Sequence, residues 1–500
     1  MCTWIRWLKP SKKEKKKESH YLKAKIKKER KVIHKEVLMS GIVGVCRAGE
    51  KPLVKRMLEK IRYRGIGGQK IIETNGGTLG VVYPRSGRAP YKEQPELAAV
   101  WDGRFSGKLQ NAQSQAPLAL AAFQKGEAFL IRDGLGVSPL YYGEAEGTMV
   151  FASEVKALLG IADEIKEFPP GHKYLSGQGF IKFFGLKEVT PLPLEADEAA
   201  CGLRSALEEV VEGYIQGRSE MGSLLSGGID SSAMSALARE KVDKLHTFAA
   251  GLEGAPDLEF AREVAEHIGS IHHEGVYTFT DLLQVLPDVV YHLESFDALL
   301  IRSTLTNYLV AKLAANYVPA VFSGEGGDEL FAGYSYLKEI EPQDLSGELI
   351  DITNRLHNTA LQRVDRSTAA HGTKAYIGFL DPQVVKLAVR IPVEYKLYRE
   401  ENEEPVEKWV LRKAVEDLLP ERVLWRPKVK FWEGAGVEEH LAAYAEERIS
   451  DHDFSRERVL PDGSLLNTKE ELLYYRIFKE HFGELSDLTF VGRTKGAPVC

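Results

Sequence analysis

The chain has 500 residues, of which 44% are hydrophobic and 28% are charged. This composition is ordinary for a globular protein and excludes a wholly disordered or collagen-like chain. The length suggests about three domains at ~150 residues each. We expect no membrane partner, because no apolar run approaches the ~18 residues that a spanning helix needs.

Charge is spread unevenly along the chain. Residues 1–38 contain 14 Lys and Arg but 4 Asp and Glu, so this segment has a net charge of +10. The whole chain has a formal net charge of −6, and the remainder is therefore at −16. Because contacts with phosphates dominate nucleic-acid affinity, an acidic body argues against a nucleic-acid partner.

The four cysteines, Cys2, Cys46, Cys201 and Cys500, are far apart and form no CxxC pair. A disulfide framework and a thiolate zinc site are therefore not expected, and a reducing, cytoplasmic location is favoured.

Three interpretations of the basic segment 1–38 remain open. It is a disordered tail that touches nucleic acid or membrane, a solvated tail without a role, or a segment that is not natively translated. The third rests on Met39, which begins the plausible protein start MSGIVGV. Residues 35–37 can be encoded as AAG GAG GTG, which resembles a prokaryotic ribosome-binding sequence.

Residues 40–188 read as a domain of short strands with few helices. We predict a buried strand at 40–45, a strand followed by a helix at 149–159, and a turn followed by a strand at 168–175. The Pro-rich and then acidic stretch 189–200 predicts a linker that leads into a helix.

Amphipathic helices and apolar strands alternate after residue 200, which predicts a parallel α/β sheet. The predicted helices are 200–216, 230–241 and 257–268, and the predicted strands are 221–225 and 245–250. This domain is expected to span 201–450, and 451–500 is a mixed helix and loop tail.

An apolar strand at 221–225 runs into the sequence SGGIDSS, which opens a helix. Glycines let the backbone N–H groups of such a loop approach an anion, and the helix N-terminus favours negative charge. Ser226, Ser231 and Ser232 add hydroxyl donors, and Asp230 supplies an oxygen ligand for Mg²⁺. The absence of GxxxxGK[ST] excludes a Walker-type loop. A glycine turn with capping serines is the alternative.

A second motif, FSGEGGDELFAGY, brings three carboxylates together at Glu325, Asp328 and Glu329. Such acids repel one another unless a cation lies between them. Asp230 and Asp328 then form a candidate Mg²⁺ pair at the carboxyl ends of two parallel strands, where α/β sheets bind ligands. A solvated acidic turn is the alternative.

Five separated segments resemble the synthetase domain of glutamine-dependent asparagine synthetases, over about residues 200–440. These are SGGIDSS, HTFAAGLEGAPDLEFAREVAEHIGSIHHE, ESFDALLIRSTL, FSGEGGDELFAGY and EKWVLRKAVEDLLPERVLWRPKVKF. The upstream segments SGIVGV, IRDGLGVSPLYYG and FASEVKALLG resemble that family's glutaminase domain more weakly. The resemblance implies a two-domain α/β fold: a shortened Ntn-hydrolase-like αββα sandwich, then a doubly wound parallel sheet of the ATP pyrophosphatase (adenine nucleotide alpha hydrolase-like) type.

The resemblance also implies site residues and the cofactors ATP and Mg²⁺. Asp230 and Asp328 would ligate the metal, and Glu325 and Lys428 would be catalytic, although Lys428 also reads as a surface charge. Arg302 would grip a substrate carboxylate or form a structural ion pair. The residues expected to bind ATP are Leu225, Ser226, Gly227, Gly228, Asp230, Ser231, Ala250, Ser323 and Gly324.

The residues that release nitrogen from glutamine in this family are altered in this sequence. Ser40 stands where the family has its nucleophilic cysteine, and Asp102 stands in place of the asparagine that stabilises the oxyanion. The segment 79–84 has no arginine to clamp glutamine, and we expect the domain to be shortened around 106–125. We expect an inactive glutaminase domain, and the alternative is slow activity at a Ser40 exposed by removal of methionine. Cys2 is not the nucleophile, and Cys46 is expected in the core.

The leading hypothesis is ATP-dependent adenylation and amidation of aspartate, with release of AMP and pyrophosphate, using ammonia. The alternatives are an amide ligase for another carboxylate, a non-catalytic nucleotide-binding regulatory protein, and, least favoured, a tRNA-modifying enzyme. Expected partners are aspartate and ammonia or glutamine, with a homodimer and a separate ammonia-supplying protein left open.

Overall fold

The computed structural model describes residues 39–85, 87, 89–105, 107–114, 116–399, 404–427 and 438–494. The basic extension 1–38 and the end of the chain lie outside the described residues, so the predictions for them are not tested. Within the described part, no helix is both long enough and apolar enough to cross a membrane.

The N-terminal half is built from two six-stranded antiparallel sheets. In the first sheet, the strand Gly41–Val45 is buried along its whole length and pairs on both sides, which matches the predicted buried run. An amphipathic helix, Lys51–Lys60, buries Val54, Met57 and Leu58 against this sheet.

The elements of this half, in chain order, are β1 (Gly41–Val45), α1 (Lys51–Lys60), β2 (Gly68–Glu73), β3 (Thr78–Tyr83), β4 (Tyr91–Gln94), β5 (Leu97–Gly103), β6 (Leu118–Gln124), β7 (Glu127–Arg132), β8 (Tyr141–Ala145), β9 (Thr148–Ala152), β10 (Ile165–Glu167), β11 (His172–Leu175) and β12 (Gly179–Lys182). The first sheet has the order β10-β8-β9-β1-β3-β2, and the second has the order β12-β11-β7-β6-β5-β4.

The second half contains a five-stranded sheet in which all the paired strands run parallel. Its elements are α2 (Ala196–Ile215), β13 (Glu220–Leu224), α3 (Ile229–Arg239), β14 (Lys244–Leu252), α4 (Pro256–Ile268), β15 (Ile271–Tyr277), α5 (Phe279–Leu293), α6 (Ala298–Ala314), β16 (Ala320–Ser323), α7 (Gly327–Leu330), α8 (Pro342–Asn354), α9 (Ala360–Ala369), β17 (Lys374–Ile377), α10 (Pro382–Ala388), α11 (Val393–Lys396), β18 (Leu397–Tyr398), β19 (Val406–Glu407), α12 (Trp409–Ala414), α13 (Glu421–Leu424), α14 (Glu438–Arg448), α15 (Asp451–Glu457) and α16 (Lys469–Phe482).

Both faces of this parallel sheet are buried. The order β15-β14-β13-β16-β17 reverses direction after β13, as in doubly wound folds. Leu225 and Ala249 pack in the core formed with α2, α3 and α4, whereas Leu224 and Phe248 pack against α6 on the other face. These two layers confirm the predicted doubly wound architecture.

Most predicted elements of the second half are confirmed within a few residues at each end. Local signals explain the ends of α4, which begins at Pro256 and stops at Gly269 in the left-handed conformation with φ of 65°. α2 begins at Ala196 with a capping box between Glu195 and Glu198, so it takes up the end of the predicted linker.

The helix predicted after the strand at 149–152 is wrong. The chain forms only a single 3₁₀ turn at Val155–Ala157. The backbone N–H groups of Val155 and Lys156 donate to the carboxylate of Glu294, which belongs to the second half of the chain. This long-range partner satisfies the donors at the start of the turn, and a sequence pattern does not reveal it.

Candidate active site

Two loops at the carboxyl ends of β13 and β16 meet at the switch point of the parallel sheet. The first loop, 225–228, is held by hydroxyl groups. Ser231 Oγ accepts from the Ser226 N–H at 3.1 Å and donates to the Gly228 carbonyl at 3.1 Å. Leu225 N–H donates to the Phe248 carbonyl at 2.8 Å, which fixes the loop to β14. The loop therefore presents its backbone at the start of α3, where anions bind well.

Glycines allow the two loops to touch. Gly227 has φ of 71°, and a Cβ there would lie 2.4 Å from the Cβ of Phe260. A Cβ on Gly327 would lie 2.4 Å from Asp230 Oδ1, and one on Gly324 would lie 2.7 Å from the backbone nitrogen of Ser231. Any larger residue would push the loops apart, so the glycine spacing in both motifs serves close packing of backbone.

A cleft of about 1040 Å³, a volume that includes open solvent, lies over these loops. Two of the residues that line it, Asn307 and Val310, come from α6. The residues predicted from sequence that line it are Leu225, Ser226, Gly228, Asp230, Ser231, Ala250, Ser323, Gly324, Glu325 and Asp328. Gly227 lies in the tight turn beneath them. The structure thus brings these predicted residues to one place.

Lys408 lies between the two aspartates of the cleft. Its Nζ is 2.5 Å from Asp230 Oδ2 and 2.5 Å from Asp328 Oδ1, and the side chain is almost fully buried. The two carboxylates therefore lie close enough to share one cation. Sequence reasoning gave Lys408 no role, although it lies in the segment EKWVLRK that carries part of the resemblance.

The carboxylate pair fits Mg²⁺. This ion is commonly held by one or two carboxylates, with phosphate oxygens and water completing its shell. Among the described residues, no group of three or more His, Cys, Asp or Glu side chains forms a metal cluster. Two carboxylates from Asp230 and Asp328 would therefore leave most coordination positions to a nucleotide and water.

Glu325 projects into the cleft and pairs with Arg363 of α9. Arg363 Nη2 lies 2.5 Å from Glu325 Oε1, and both side chains are largely buried. Burial lowers the pKa of Arg363, but the attraction of Glu325 outweighs this effect and the net shift is upward. This arginine was also missed from sequence, since 38 residues separate it from Glu325.

Glu329, the third acid of the second motif, points away from the cleft. Its side chain is buried and hydrogen-bonded to the hydroxyl of Tyr334. Burial and the neighbouring charge of Asp328 raise the pKa of Glu329 to about 7. Its role is to hold the loop together rather than to extend the carboxylate pair.

Arg302 does not reach the cleft, so the substrate role predicted for it is not supported by the geometry. Its guanidinium is paired with Glu470 of α16, with Nε 3.0 Å from Oε1 and Nη2 2.5 Å from Oε2. Tyr474 donates a further hydrogen bond to the same carboxylate at 2.7 Å. The structural ion pair, which was the other interpretation of Arg302, is what is observed.

Lys428 lies outside the described residues, so its predicted role is not tested. The chain leading to it is firmly placed. Arg426 pairs with Asp257 at 2.7 Å and lies 3.9 Å from the ring centre of Phe260, and Pro427 lines the cleft.

Comparisons with known proteins agree with this arrangement. A family model described as asparagine synthase matches residues 202–346 and 338–496, and one described as glutamine amidotransferase domain matches residues 110–174. Asparagine synthetase B of Escherichia coli, described as glutamine-hydrolyzing, is 35% identical over 407 residues, which cover 77% of this chain and 73% of that protein.

The chain belongs to the asparagine synthetase family. Asparagine synthetase 2 of Arabidopsis thaliana is 36% identical, with 77% of this chain and 68% of that protein covered. Glutamine phosphoribosylpyrophosphate amidotransferase of B. subtilis has a TM-score of 0.26 and 11% identity, covering 48% of this chain and 91% of that one. So distant a structural likeness adds nothing further. The family, the fold class and the assignment as an enzyme, a ligase of asparagine biosynthesis, are confirmed.

Ser40, which the sequence predicts at the position of the family's nucleophile, is enclosed in the protein. Ser40 and the preceding Met39 are each 1% exposed. Ser40 Oγ donates to Asp102 Oδ1 at 2.8 Å, and the Ser40 carbonyl accepts from Arg64 Nε at 2.9 Å. The hydroxyl is therefore engaged by a buried carboxylate.

Cys46 is not a substitute nucleophile. It packs against the core of the first half, and burial raises the pKa of its thiol to about 12. A thiol with such a pKa is protonated at neutral pH and does not attack. Cys46 is partly buried at the edge of this core, so its predicted core position is met only in part.

Proposed function

We propose that this protein is an asparagine synthetase that uses ammonia. It activates the side-chain carboxylate of aspartate with ATP, forms an acyl-adenylate, and transfers ammonia to the activated carbonyl. The products are asparagine, AMP and pyrophosphate. The observation that carries the proposal is the convergence of Asp230, Asp328 and Lys408 over the SGGIDSS loop, in a chain of this family.

The geometry of the cleft supports adenylation. A carboxylate is a poor electrophile. When it attacks the α-phosphate of ATP, pyrophosphate leaves and an acyl-adenylate forms. AMP is then the leaving group when ammonia attacks the carbonyl. The loop 225–228 and the N-terminus of α3 offer backbone N–H groups to that pyrophosphate, and Mg²⁺ bound by Asp230 and Asp328 would neutralise its charge. Lys408 supplies a buried positive charge at the same place.

Glu325 is the residue we assign to the reacting carbonyl. It lines the cleft beside Ser323 and Gly324, which we assign to the adenosine and α-phosphate. Arg363 holds the Glu325 carboxylate in one direction, so the group is oriented before substrate binds. A carboxylate in this place can accept a proton from attacking ammonia as the amide forms.

Ammonia is proposed as the nitrogen donor because the amidotransferase half is poorly equipped to release it. The Ser40 hydroxyl is buried and bonded to Asp102, and a carboxylate at position 102 would repel an oxyanion instead of donating to it. Free ammonia or a separate protein would then supply the nitrogen. We place the enzyme in the cytoplasm, in line with its isolated cysteines.

The decisive experiment supplies purified full-length protein with ATP, Mg²⁺, aspartate and ¹⁵N-labelled ammonium. We expect AMP and pyrophosphate in equal amounts, and asparagine that carries the label in its side-chain amide. Glutamine labelled in its amide serves as the matched donor. Equal rates with the two donors would contradict the inactive glutaminase site, whereas no AMP with either donor would contradict the synthetase itself.

A screen of other carboxylates in the same assay addresses substrate identity. The loop 225–228 is assigned to ATP, so it does not select the carboxylate. AMP formation that depends on another carboxylate and not on aspartate would replace aspartate as the substrate. Omission of Mg²⁺ is expected to abolish AMP formation.

A further inference from the structure

The two halves of the chain are joined by buried charges. The contacts that cross from one half to the other include the ion pair of Arg104 with Asp381 at 3.0 Å and a hydrogen bond between Glu167 and His357 at 2.7 Å. Arg104 also lies 3.7 Å from the ring centre of Tyr214. The interface between the halves therefore contains charged and polar side chains that have little contact with solvent.

Asp102 lies in this interface with both of its carboxylate oxygens in use. Oδ1 accepts from Ser40 Oγ and lies 3.4 Å from Lys374 Nζ, while Oδ2 lies 3.3 Å from Arg64 Nη2. The Asp102 side chain is fully buried, and that of Lys374 is nearly so. The residue that replaces the family's oxyanion donor thus balances two cations, one from each half of the chain.

Arg64 connects Asp102 to α9 of the synthetase half. Its two terminal nitrogens bind both oxygens of Asp365, at 2.8 and 3.0 Å. Burial lowers the pKa of Arg64, but Asp365 and Glu154 outweigh it and the net shift is upward. Burial alone would raise the pKa of Asp365, but the attraction of Arg64 outweighs burial and leaves this pKa below its usual range. Both groups therefore stay charged.

α9 lies between this charge network and the cleft. Asp365 and Arg363 are two residues apart, so their side chains leave the helix about 200° apart at 3.6 residues per turn. Asp365 binds Arg64 of the N-terminal half, and Arg363 binds Glu325 in the cleft. Lys374, the other cation at Asp102, is the first residue of β17. This strand pairs with β16, which ends at Ser323 beside the cleft.

We propose that Asp102 is a positioning residue for the synthetase site: through Arg64 and Lys374 it holds α9 and β17, and thereby Arg363 and Glu325, in place. The N-terminal half is then a required support of the ammonia-dependent reaction. This inference rests on the proposed function, which it deepens.

The physical reason is the imbalance that loss of Asp102 creates. Removing one member of a buried ion network leaves its partners charged and poorly solvated, and the surrounding elements shift to relieve this. In the Asp102→Asn variant, Lys374 and Arg64 would lose the carboxylate charge that now lies between them. We expect α9 to be the element that shifts in response. The loop 225–228 after β13 makes none of the contacts named above and should keep its shape.

The test compares Asp102→Asn with Asp133→Asn in the full-length protein. Asp133 is equally buried, but the N–H groups that donate to its carboxylate, those of Leu118, Leu135, Val137 and Ser138, all belong to the N-terminal half. We expect Asp102→Asn to lower kcat with ammonium at least threefold while KM for ATP changes less than twofold. Asp133→Asn should lower Tm but leave kcat within twofold.

A double variant and hydrogen exchange separate the possible outcomes. Asp102→Asn with Lys374→Met removes the unbalanced ammonium and should recover at least half of the lost kcat. Backbone hydrogen exchange should quicken over 360–369 in Asp102→Asn and not in Asp133→Asn. Unchanged kcat in Asp102→Asn, or no recovery in the double variant, would overturn the proposal. If the wild type makes no AMP, the proposed function fails, and exchange in α9 still decides the inference.

Discussion

Asp230 and Asp328 lie on either side of one ammonium group, that of Lys408, which approaches each carboxylate to 2.5 Å. The two acids come from loops that are almost a hundred positions apart in the chain. Their closeness is what a shared cation requires, because like charges at this separation repel strongly without one. Lys408 therefore has two functions in our proposal: it keeps the acids together and it faces the departing pyrophosphate.

Replacing Lys408 with methionine should lower kcat for AMP formation about a hundredfold, the order expected when one charge-stabilising donor is lost. The reason is that pyrophosphate would depart without its buried counter-charge. Lys413→Met is the matched control, because Lys413 lies on α12, which begins directly after Lys408, and its amine pairs with nearby Glu416. Steady-state AMP release measures both, and equal rates in the two variants would contradict the role of Lys408.

Glu325→Gln should retain ATP binding within about threefold but lower amide formation at least ~100-fold, the range for a lost acid–base group. Glutamine fills the same space but neither accepts a proton nor balances Arg363. Nucleotide binding is measured by calorimetry and product by mass spectrometry. Glu348→Gln is the control, since its carboxylate bonds to Tyr336 at the surface. Full amide formation in Glu325→Gln would rule out the assignment.

Glutamine should support less than about 1% of the rate that ammonium supports, since an oxyanion site without its donor loses roughly 10²–10³ in rate. The expectation follows from the buried Ser40 hydroxyl and the carboxylate of Asp102. Glutamate release from glutamine is the direct measurement. If Ser40→Ala removes a measurable glutaminase activity of the wild type, then Ser40 is a working nucleophile and this prediction is wrong.

Glu470→Ala should lower Tm by about 5 °C or more, because it leaves the Arg302 guanidinium buried without this partner. The double variant Arg302→Met with Glu470→Met should recover most of the loss, since it removes both charges. Differential scanning calorimetry measures Tm, and initial rates measure KM for aspartate. A tenfold rise in that KM in the double variant would restore the substrate role of Arg302.

Lys396→Met should stabilise the protein most at low pH. Burial lowers the pKa of Lys396 to about 7, whereas in the unfolded chain the amine titrates near its ordinary value. Between these two values the unfolded state binds the extra proton, so wild-type stability rises with pH. The free energy of unfolding of the wild type, relative to that of the variant, should therefore rise by about 1.4 kcal/mol per pH unit between pH 7 and 10.

Urea unfolding at several pH values from 6 to 9 measures this difference. Lys386→Met is the control, because Lys386 is exposed. The difference between wild type and Lys386→Met should not change with pH. The prediction for Lys396 fails if the difference in unfolding free energy between the wild type and Lys396→Met depends on pH as little as it does for the control.

Short-range sequence patterns predicted the parallel sheet and the two loops of the cleft. The alternation of apolar strands and amphipathic helices predicted the parallel sheet, because periodicity reports which face of each element is buried. Glycine-rich turns after β13 and β16 predicted the two loops of the cleft, since both loops follow strands that end at the same edge of the sheet. The family resemblance then named the residues that line it.

Only the tertiary structure decided which charges meet. Lys408 and Asp230 are 178 positions apart, and Arg64 and Asp365 are 301 apart. No local pattern marks such pairs, because a charged side chain looks the same in sequence whether it faces water or a buried partner. The same limit applies to Arg302, whose ion pair with Glu470 depends on α16 packing against α6. The sequence by itself determined the fold and the nucleotide loops, and long-range packing determined where each ion pair formed.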